Sequence, residues 1–280
     1  MKMYPAGAGI NPPSPFPPVA SPYGYGGEVA ARDDIIAHLD ELLDPAAFED
    51  YGPNGLQVPG AAEVSVVATG VTAQLELFER AAREGAQLVL CHHGLFWSFH
   101  PRTIGLEMKR RLGVLFDADM SLAGYHLPLD AHPEVGNNAL VCRALGLEPS
   151  ERFGHHRGQA IGFVGRSPDG VPFAELRERC RTALGQEPFV WDTGPDTVHA
   201  LGVVTGSAAD SLGEAIERGL DGLLTGEPAE HVMAGAREAG VHFIAGGHYA
   251  TETFGVRRLG DMLAERFGVE HRFIDVPNPI

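Results

Sequence analysis

The segment Leu88-Val89-Leu90-Cys91-His92-His93-Gly94-Leu95-Phe96-Trp97 runs apolar for four residues and then stops at two adjacent histidines and a glycine. It reads as a buried strand whose C-terminal end presents two imidazoles at the lip of a site, because ligands of open α/β sheets collect beyond the carboxyl ends of strands. Successive side chains on a strand point to opposite faces. His92 and His93 therefore do not readily share one ion from regular strand backbone; each suits a different ion of a close pair, with the chain leaving the strand at Gly94. A His-His dipeptide alone is equally compatible with one core and one exposed histidine, so its meaning depends on what the rest of the chain brings beside it.

Outward from this segment the chain alternates. Val64–Gly70 reads as a strand and Thr72–Glu84 as a helix with Leu75, Leu77, Phe78, Ala81 and Ala82 on its apolar face. Ile104–Phe116 reads as a second helix, Ser121–Tyr125 as a strand running into His126-Leu127-Pro128-Leu129-Asp130, and Asn137–Leu145 as a helix closed by Gly146. Strand and helix in this rhythm build βαβ units and a largely parallel sheet. Upstream, Val29, Ile35, Ile36, Leu39, Leu42 and Leu43 recur at helical spacing before Pro45, and a turn-rich loop follows at Gly52–Gly60.

A second segment starts near Glu151, with strands at Ala160–Gly165 and Ala200–Gly206, a helix from Pro172 to Leu184, and a strand ending Leu223-Leu224-Thr225-Gly226-Glu227. The later strand–helix–strand echoes Val66–Gly70, helix, Leu88–His93. The fold expected is α/β, with two similar lobes whose sheets are mostly parallel or mixed: residues 28–150 with 236–280 forming a metal-binding lobe, and 151–235 the second. Residues 1–27, with Pro12, Pro13, Pro15, Pro17, Pro18 and Pro22, read as a disordered tail without the apolar core of a signal peptide.

Val241–Ala245 reads as a strand, Gly246-Gly247 as a turn, and His248-Tyr249-Ala250-Thr251-Glu252 as the opening of a helix, with His248 and Glu252 on one face at a spacing of four. The chain closes on Phe273–Pro279, read as a terminal strand. Three strand ends thus carry His92 and His93, Asp130, and His248 with Glu252. Five N/O ligands without a thiolate suit a pair of Zn, Mn, Fe, Co or Ni ions better than one structural zinc, with Glu252 the natural bridge. His126 reads as a group that either supports a metal ligand or faces the substrate, and Glu227 and His231 as candidates for the same pocket. Cys91 points to the core, and His100, His132, His155 and His156 default to surface or turn positions.

Composition narrows the function classes. A formal charge of −16 argues against a protein that grips nucleic-acid backbones, which needs basic patches. No apolar run reaches the roughly 20 residues of a membrane span. Three widely spaced cysteines, Cys91, Cys142 and Cys180, suit reduced thiols in a cytoplasmic protein.

Taken together, Asn54-Gly55-Leu56-Gln57-Val58, His92-His93-Gly94-Leu95-Phe96-Trp97, His126-Leu127-Pro128-Leu129-Asp130, Gly136-Asn137-Asn138, Thr225-Gly226-Glu227, Gly246-Gly247-His248-Tyr249-Ala250-Thr251-Glu252 and Phe273–Pro279 resemble the GTP cyclohydrolase 1 type 2 homolog family, dinuclear metal-binding proteins of the interacting-factor type. The resemblance runs from about residue 28 to the end and looks like the family's short form. It implies two α/β lobes with the metal pair in the cleft between them. His93 and Asp130 would serve one ion, His92 and His248 the other, and Glu252 would bridge. It also implies a toroidal hexamer built as a trimer of dimers and, through the family's name, hydrolytic opening of the imidazole ring of GTP with release of formate. The family's first motif carries an acidic residue just before its asparagine, where this chain has Pro53 after Gly52. The function expected is a metal-dependent hydrolase of a small polar or nucleotide-like substrate, in which paired ions lower the pKa of water and polarise a carbonyl or phosphoryl oxygen. The alternative is a metal-holding scaffold, carrier or regulatory ring without turnover.

Overall fold

The computed structural model describes residues 28–280, and the proline-rich stretch 1–27 lies outside them. The first lobe opens with a short strand β1 (Ala30–Ala31), helix α1 (Arg32–Leu43), β2 (Gly55–Val58) and β3 (Glu63–Val64), then alternates β4 (Val66–Thr72), α2 (Leu75–Arg83), β5 (Leu88–His93), α3 (Leu106–Asp117) and β6 (Ser121–Gly124). Two helices, α4 (Leu127–Ala131) and α5 (Asn137–Ala144), lead out. The second lobe holds β7 (Glu148–His156), β8 (Gln159–Pro172), α6 (Phe173–Leu184), β9 (Phe189–Trp191), β10 (Thr197–Val203), α7 (Leu212–Glu217), β11 (Gly222–Thr225), α8 (Val232–Ala239) and β12 (His242–Ala245). The chain then returns through α9 (His248–Thr251), α10 (Thr253–Phe267) and β13 (Glu270–Phe273).

One sheet has five strands in the order β13-β4-β5-β6-β2, and the other six in the order β7-β8-β10-β11-β12-β9. At the centre of each, the strands expected from the βαβ rhythm pair in parallel: β4 with β5 and β5 with β6, β10 with β11 and β11 with β12. Antiparallel strands close both margins of the six-stranded sheet and the β2 margin of the five-stranded one, whose other margin is β13, parallel to β4, so both sheets are mixed. Alternation along β5 explains the layering. Leu88 and Leu90 face an apolar cluster with α1 and α10, whereas Val89 and Cys91 face a second cluster with α2 and α3. Each fully buried leucine contributes roughly 1.5–3 kcal/mol, which fixes the register of β5 and therefore the position of the two histidines that end it. The six-stranded sheet is covered in the same way, by α5 and α6 on one face and by α7 and α8 on the other.

Three details differ from the sequence reading. The strand Val241–Ala245, placed with the first lobe, is β12 of the six-stranded sheet, between β11 and β9. A strand buried on both faces is apolar throughout, and nothing local says which sheet it joins. The chain thus crosses back after β12 rather than near residue 236. The terminal strand pairs earlier than expected, with Glu270–Phe273 alongside Val66–Thr69, because Pro277 and Pro279 cannot donate to a ladder. The strand expected at Ala160–Gly165 is the middle of a longer β8, which forms a hairpin with β7. Its turn is Arg157-Gly158, both left-handed at φ 47° and 80°, which matches the twist-compatible two-residue turn. Among the described residues, no helix is long and apolar enough to cross a membrane.

The helices α9 and α10 matter most for the site. Ala250 and Phe254 pack into the core of the six-stranded sheet, while Tyr249, Val256, Leu259 and Leu263 pack into that of the five-stranded sheet. His248 and Glu252 therefore stand on the segment that joins the two cores.

Candidate metal centre

Each imidazole at the centre is fixed through one nitrogen, which aims the other. His92, fully buried, places Nδ1 3.0 Å from the carbonyl oxygen of Tyr125. A carbonyl only accepts, so Nδ1 carries the proton in the neutral ring and Nε2 offers a lone pair. His93 Nδ1 lies 3.2 Å from Thr72 Oγ1, and His248 Nδ1 donates to Glu227 Oε1. The helix that begins at His248 breaks at Glu252, where φ is −107°, but one turn suffices to bring the two side chains together.

The freed Nε2 atoms converge on Glu252. His93 and His248 each place Nε2 3.1 Å from Glu252 Oε2, and His92 Nε2 lies 3.6 Å from Glu252 Oε1 and 3.5 Å from Asp130 Oδ2. These are not hydrogen bonds of ordinary geometry: His92 Nε2 and Glu252 Oε2 are buried without a hydrogen-bond partner. Buried polar atoms left this way cost roughly 1–3 kcal/mol each, so nitrogen and oxygen donors aimed at a common point suit a cation site. Three groups have mutually close ligand atoms: His92 with Asp130 and Glu252, His93 with His248 and Glu252, and His92 with His93 and His126. These buried His, Asp and Glu groups are able to hold metal.

The pairing differs from the one the family resemblance implied. The distances set His92 beside Asp130 and His93 beside His248, with one oxygen of Glu252 on each side. The reason lies in β5, where alternation sends His92 inward against the Tyr125 backbone, toward Asp130 on α4, while His93 meets the His248 ring at 5.2 Å.

Electrostatics follow from the burial. Desolvation lowers the His92 pKa, but the charges of Asp130 and Glu252 outweigh it and raise the value to about 9. Burial likewise opposes the charged form of His248, and Glu252 and Glu227 overcome it, again to about 9. Desolvation raises the Glu252 pKa, but His93 and His92 carry it well below the usual carboxylate range. The carboxylate is therefore ionised, as a metal ligand must be.

Asp130 is held from three sides. Asn137 Nδ2 donates to Oδ1 at 2.8 Å, Thr205 Oγ1 lies 3.4 Å from the same oxygen, and Asn138 Nδ2 reaches the Asp130 carbonyl at 3.1 Å. Asn137 in turn accepts from Gly255 N on α10, and Asn138 from Thr205 N beyond β10. The Asn137-Asn138 pair, a helix start and part of the Gly136-Asn137-Asn138 motif, clamps Asp130 to both lobes.

Of the remaining predicted residues, Glu227 is engaged by His248, which makes it an orienting group for that ring. His231 joins none of the three groups; it is exposed and pairs with Asp210 at 2.6 Å. His126 stands at the centre, its ring 5.0 Å from that of His92. It is held by a residue the sequence reading missed. Asp50, four positions before Asn54, accepts from His126 Nδ1 at 2.7 Å, Asn54 Nδ2 at 3.0 Å and Leu127 N at 2.9 Å. Pro53 stands immediately before Asn54, and the carboxylate that this loop brings to the site is that of Asp50.

Burial raises the Asp50 pKa, but the hydrogen bonds from His126, Asn54 and Leu127 bring it down to about 2. A folded-state value below the unfolded one stabilises the fold above about pH 4 and loses that stabilisation as pH falls toward about 2. Asp50→Asn is expected to lower Tm at neutral pH and to flatten the acid side of the stability profile. Thermal melts across that range would show it, and an acid limb identical to that of the parent would contradict the assignment.

Comparison with known proteins agrees with this architecture. Residues 30–279 match the family model described as Duf34/NIF3 (NGG1p interacting factor 3). A Pseudomonas aeruginosa protein named GTP cyclohydrolase 1 type 2 homolog is 42% identical over 250 residues, covering 89% of this chain and 98% of that protein. A solved structure described as protein ybgI, of unknown function, superposes with a TM-score of 0.85 at 38% identity, over 90% of this chain and 100% of the other. TTHA1606 from Thermus thermophilus gives 0.80 at 35% identity, over 90% and 100%. An α/β protein of two mixed-sheet lobes with a buried His/Asp/Glu cluster is therefore the class at hand. This chain belongs to the Duf34/NIF3 family.

Proposed function

We propose that the protein is a dinuclear metal-dependent hydrolase acting on a small polar or nucleotide-like substrate. The observation that carries this reading is the buried convergence of His92 Nε2 and Glu252 Oε2, both without partners, among four further nitrogen and oxygen donors. His92, Asp130 and Glu252 Oε1 would hold one divalent ion, and His93, His248 and Glu252 Oε2 the other, in the cleft where the lobes meet. The donor set, without thiolate, suits Zn, Mn, Fe, Co or Ni. Paired ions at such a place supply Lewis-acid polarisation of a substrate oxygen and activation of water.

The chain's own residues do the rest. Glu227 and the Tyr125 carbonyl hold the rings in the tautomer that exposes Nε2. Asn137, Asn138 and Thr205 keep Asp130 from turning away. His126, set by Asp50, faces the substrate side. The names of the relatives support a nucleotide-like substrate. We further propose that the protein works in the cytoplasm, where its three buried free cysteines stay reduced, and that it assembles as a hexameric ring from three dimers.

Elemental analysis of the purified protein, with anomalous scattering from its crystals, is expected to give two divalent ions per chain. Screening GTP and other small substrates with Mn, Zn, Co or Fe is expected to give turnover that His92→Ala and Glu252→Ala abolish. Two tightly held ions with no turnover on any substrate would favour the carrier or scaffold. An absence of stoichiometric metal would end both readings.

A further inference from the structure

Beside the cluster lies a group of aromatic side chains that none of the four apolar cores uses. Trp97 stacks on Phe99, with centroids 5.6 Å apart and planes at 22°. Phe99 meets Tyr51 edge-on at 6.5 Å, yet remains 67% exposed. Trp97 stands at 88° to His126, 5.1 Å away, and lies 5.9 Å from His93. From the second lobe, His156 packs on Tyr51 at 5.1 Å, and the Arg157 guanidinium sits 4.8 Å over the same ring. Neither Tyr51, Trp97 nor Phe99 belongs to the apolar clusters of either lobe. An exposed aromatic group that does not stabilise the core is a signal of binding.

The polar side chains at this mouth are already committed. Asn54 donates to Asp50 and accepts from His126 N. Gln57 donates to the Pro53 carbonyl and accepts from Leu95 N. They hold the loops that carry Tyr51 and Trp97, so the side chains left for a ligand are aromatic, with Phe99 the most exposed of the three. His126 is the exception. Its Nδ1 is bound to Asp50, and in the neutral ring that leaves Nε2 an acceptor.

We propose that Trp97, Phe99 and Tyr51 form a stacking subsite for a planar heteroaromatic ring, with His126 accepting a hydrogen bond from a ring N–H or exocyclic donor, next to the metal centre. Stacking on aromatic side chains tolerates many ring types, because every base or heterocycle has a π-face. The subsite selects for flatness, and His126 for a donor on the edge. The proposal deepens the hydrolase reading and rests on it for the chemistry that follows, but ring binding itself needs only the aromatic side chains.

The chain has two tryptophans, Trp97 and Trp191, so Trp191→Phe leaves Trp97 as the sole reporter. In that background, inosine and benzimidazole are expected to quench Trp97 fluorescence saturably, and ribose 5-phosphate, which has no aromatic ring, is not. Phe99→Ala, at a side chain too exposed to threaten folding, is expected to weaken ring binding at least tenfold. The titrations are run on metal-loaded and on chelator-treated protein, with bound metal counted separately. Quenching in both forms supports the subsite even if the metal count overturns the hydrolase reading. No saturable quenching by either ring probe would overturn it. So would quenching confined to the metal-loaded form, equal quenching by ribose 5-phosphate, or a Phe99→Ala effect on self-association alone.

Discussion

Glu252→Gln is expected to abolish binding of the proposed ion pair while leaving the metal-free protein folded. Glu252 is 2% exposed, and each of its oxygens faces a different pair of candidate ligands. Glutamine keeps the volume but replaces an anionic oxygen with an amide, which donates hydrogen bonds and coordinates poorly. Stoichiometry should fall from two ions to one or none, with affinity down by at least ~100-fold, the upper end of what even supporting residues cost. The metal-free fold should tolerate the change, because the imidazoles that Glu252 charges can lose their protons instead. The readout is thermal stability with and without metal. An ion at a thousand times its Kd adds about 4 kcal/mol to the parent. That increment should vanish in the variant, whereas a full metal-dependent rise in its Tm would remove Glu252 from the ligand set.

Gly206→Ala is expected to lose metal through a methyl group alone. Gly206 follows β10 in the second lobe and holds φ at 70°, which costs other residues about 1–2 kcal/mol. A Cβ there would overlap Glu252 Oε1 and lie 3.3 Å from His248 Nε2. Glu252 has nowhere to retreat, since it is buried. Metal affinity should drop by at least ~100-fold, and Tm should fall by roughly 5 °C, given about 2–4 °C per kcal/mol for a chain of this size. Gly85→Ala separates the two effects: Gly85 has φ 73° but open space around it. It should share the loss of stability and keep the metal. Equal metal affinity in both variants would show that the Gly206 loop does not bound the site.

The convergence of His92, His93, Asp130, His248 and Glu252 was legible in the sequence for a simple reason. His92 and His93 end β5 and Asp130 follows the parallel neighbour β6, and the C-terminal ends of parallel strands in one sheet face one way. His248 and Glu252 follow β12 of the other sheet, and the segment that packs into both cores brings them alongside. Their pairing was not legible, because alternation gives faces but not distances, and the inward turn of His92 depends on the Tyr125 carbonyl. Asp50 was missed because the relevant contact crosses a loop: it reaches His126, 76 positions away, and no periodicity reports such a distance. Glu227 was read toward the substrate, but a carboxylate this close to a ring nitrogen is taken by it. The β7–β8 hairpin did leave a mark, Arg157-Gly158, hidden by flanking strands whose charged faces look like loop.

Because α9 and α10 plug into both cores, the two lobes cannot melt separately without withdrawing His248 and Glu252. The segment acts as a shared keystone. Heat unfolding should register as one cooperative transition rather than two, and an ion lodged at the junction would escape only on the timescale on which the whole molecule breathes open.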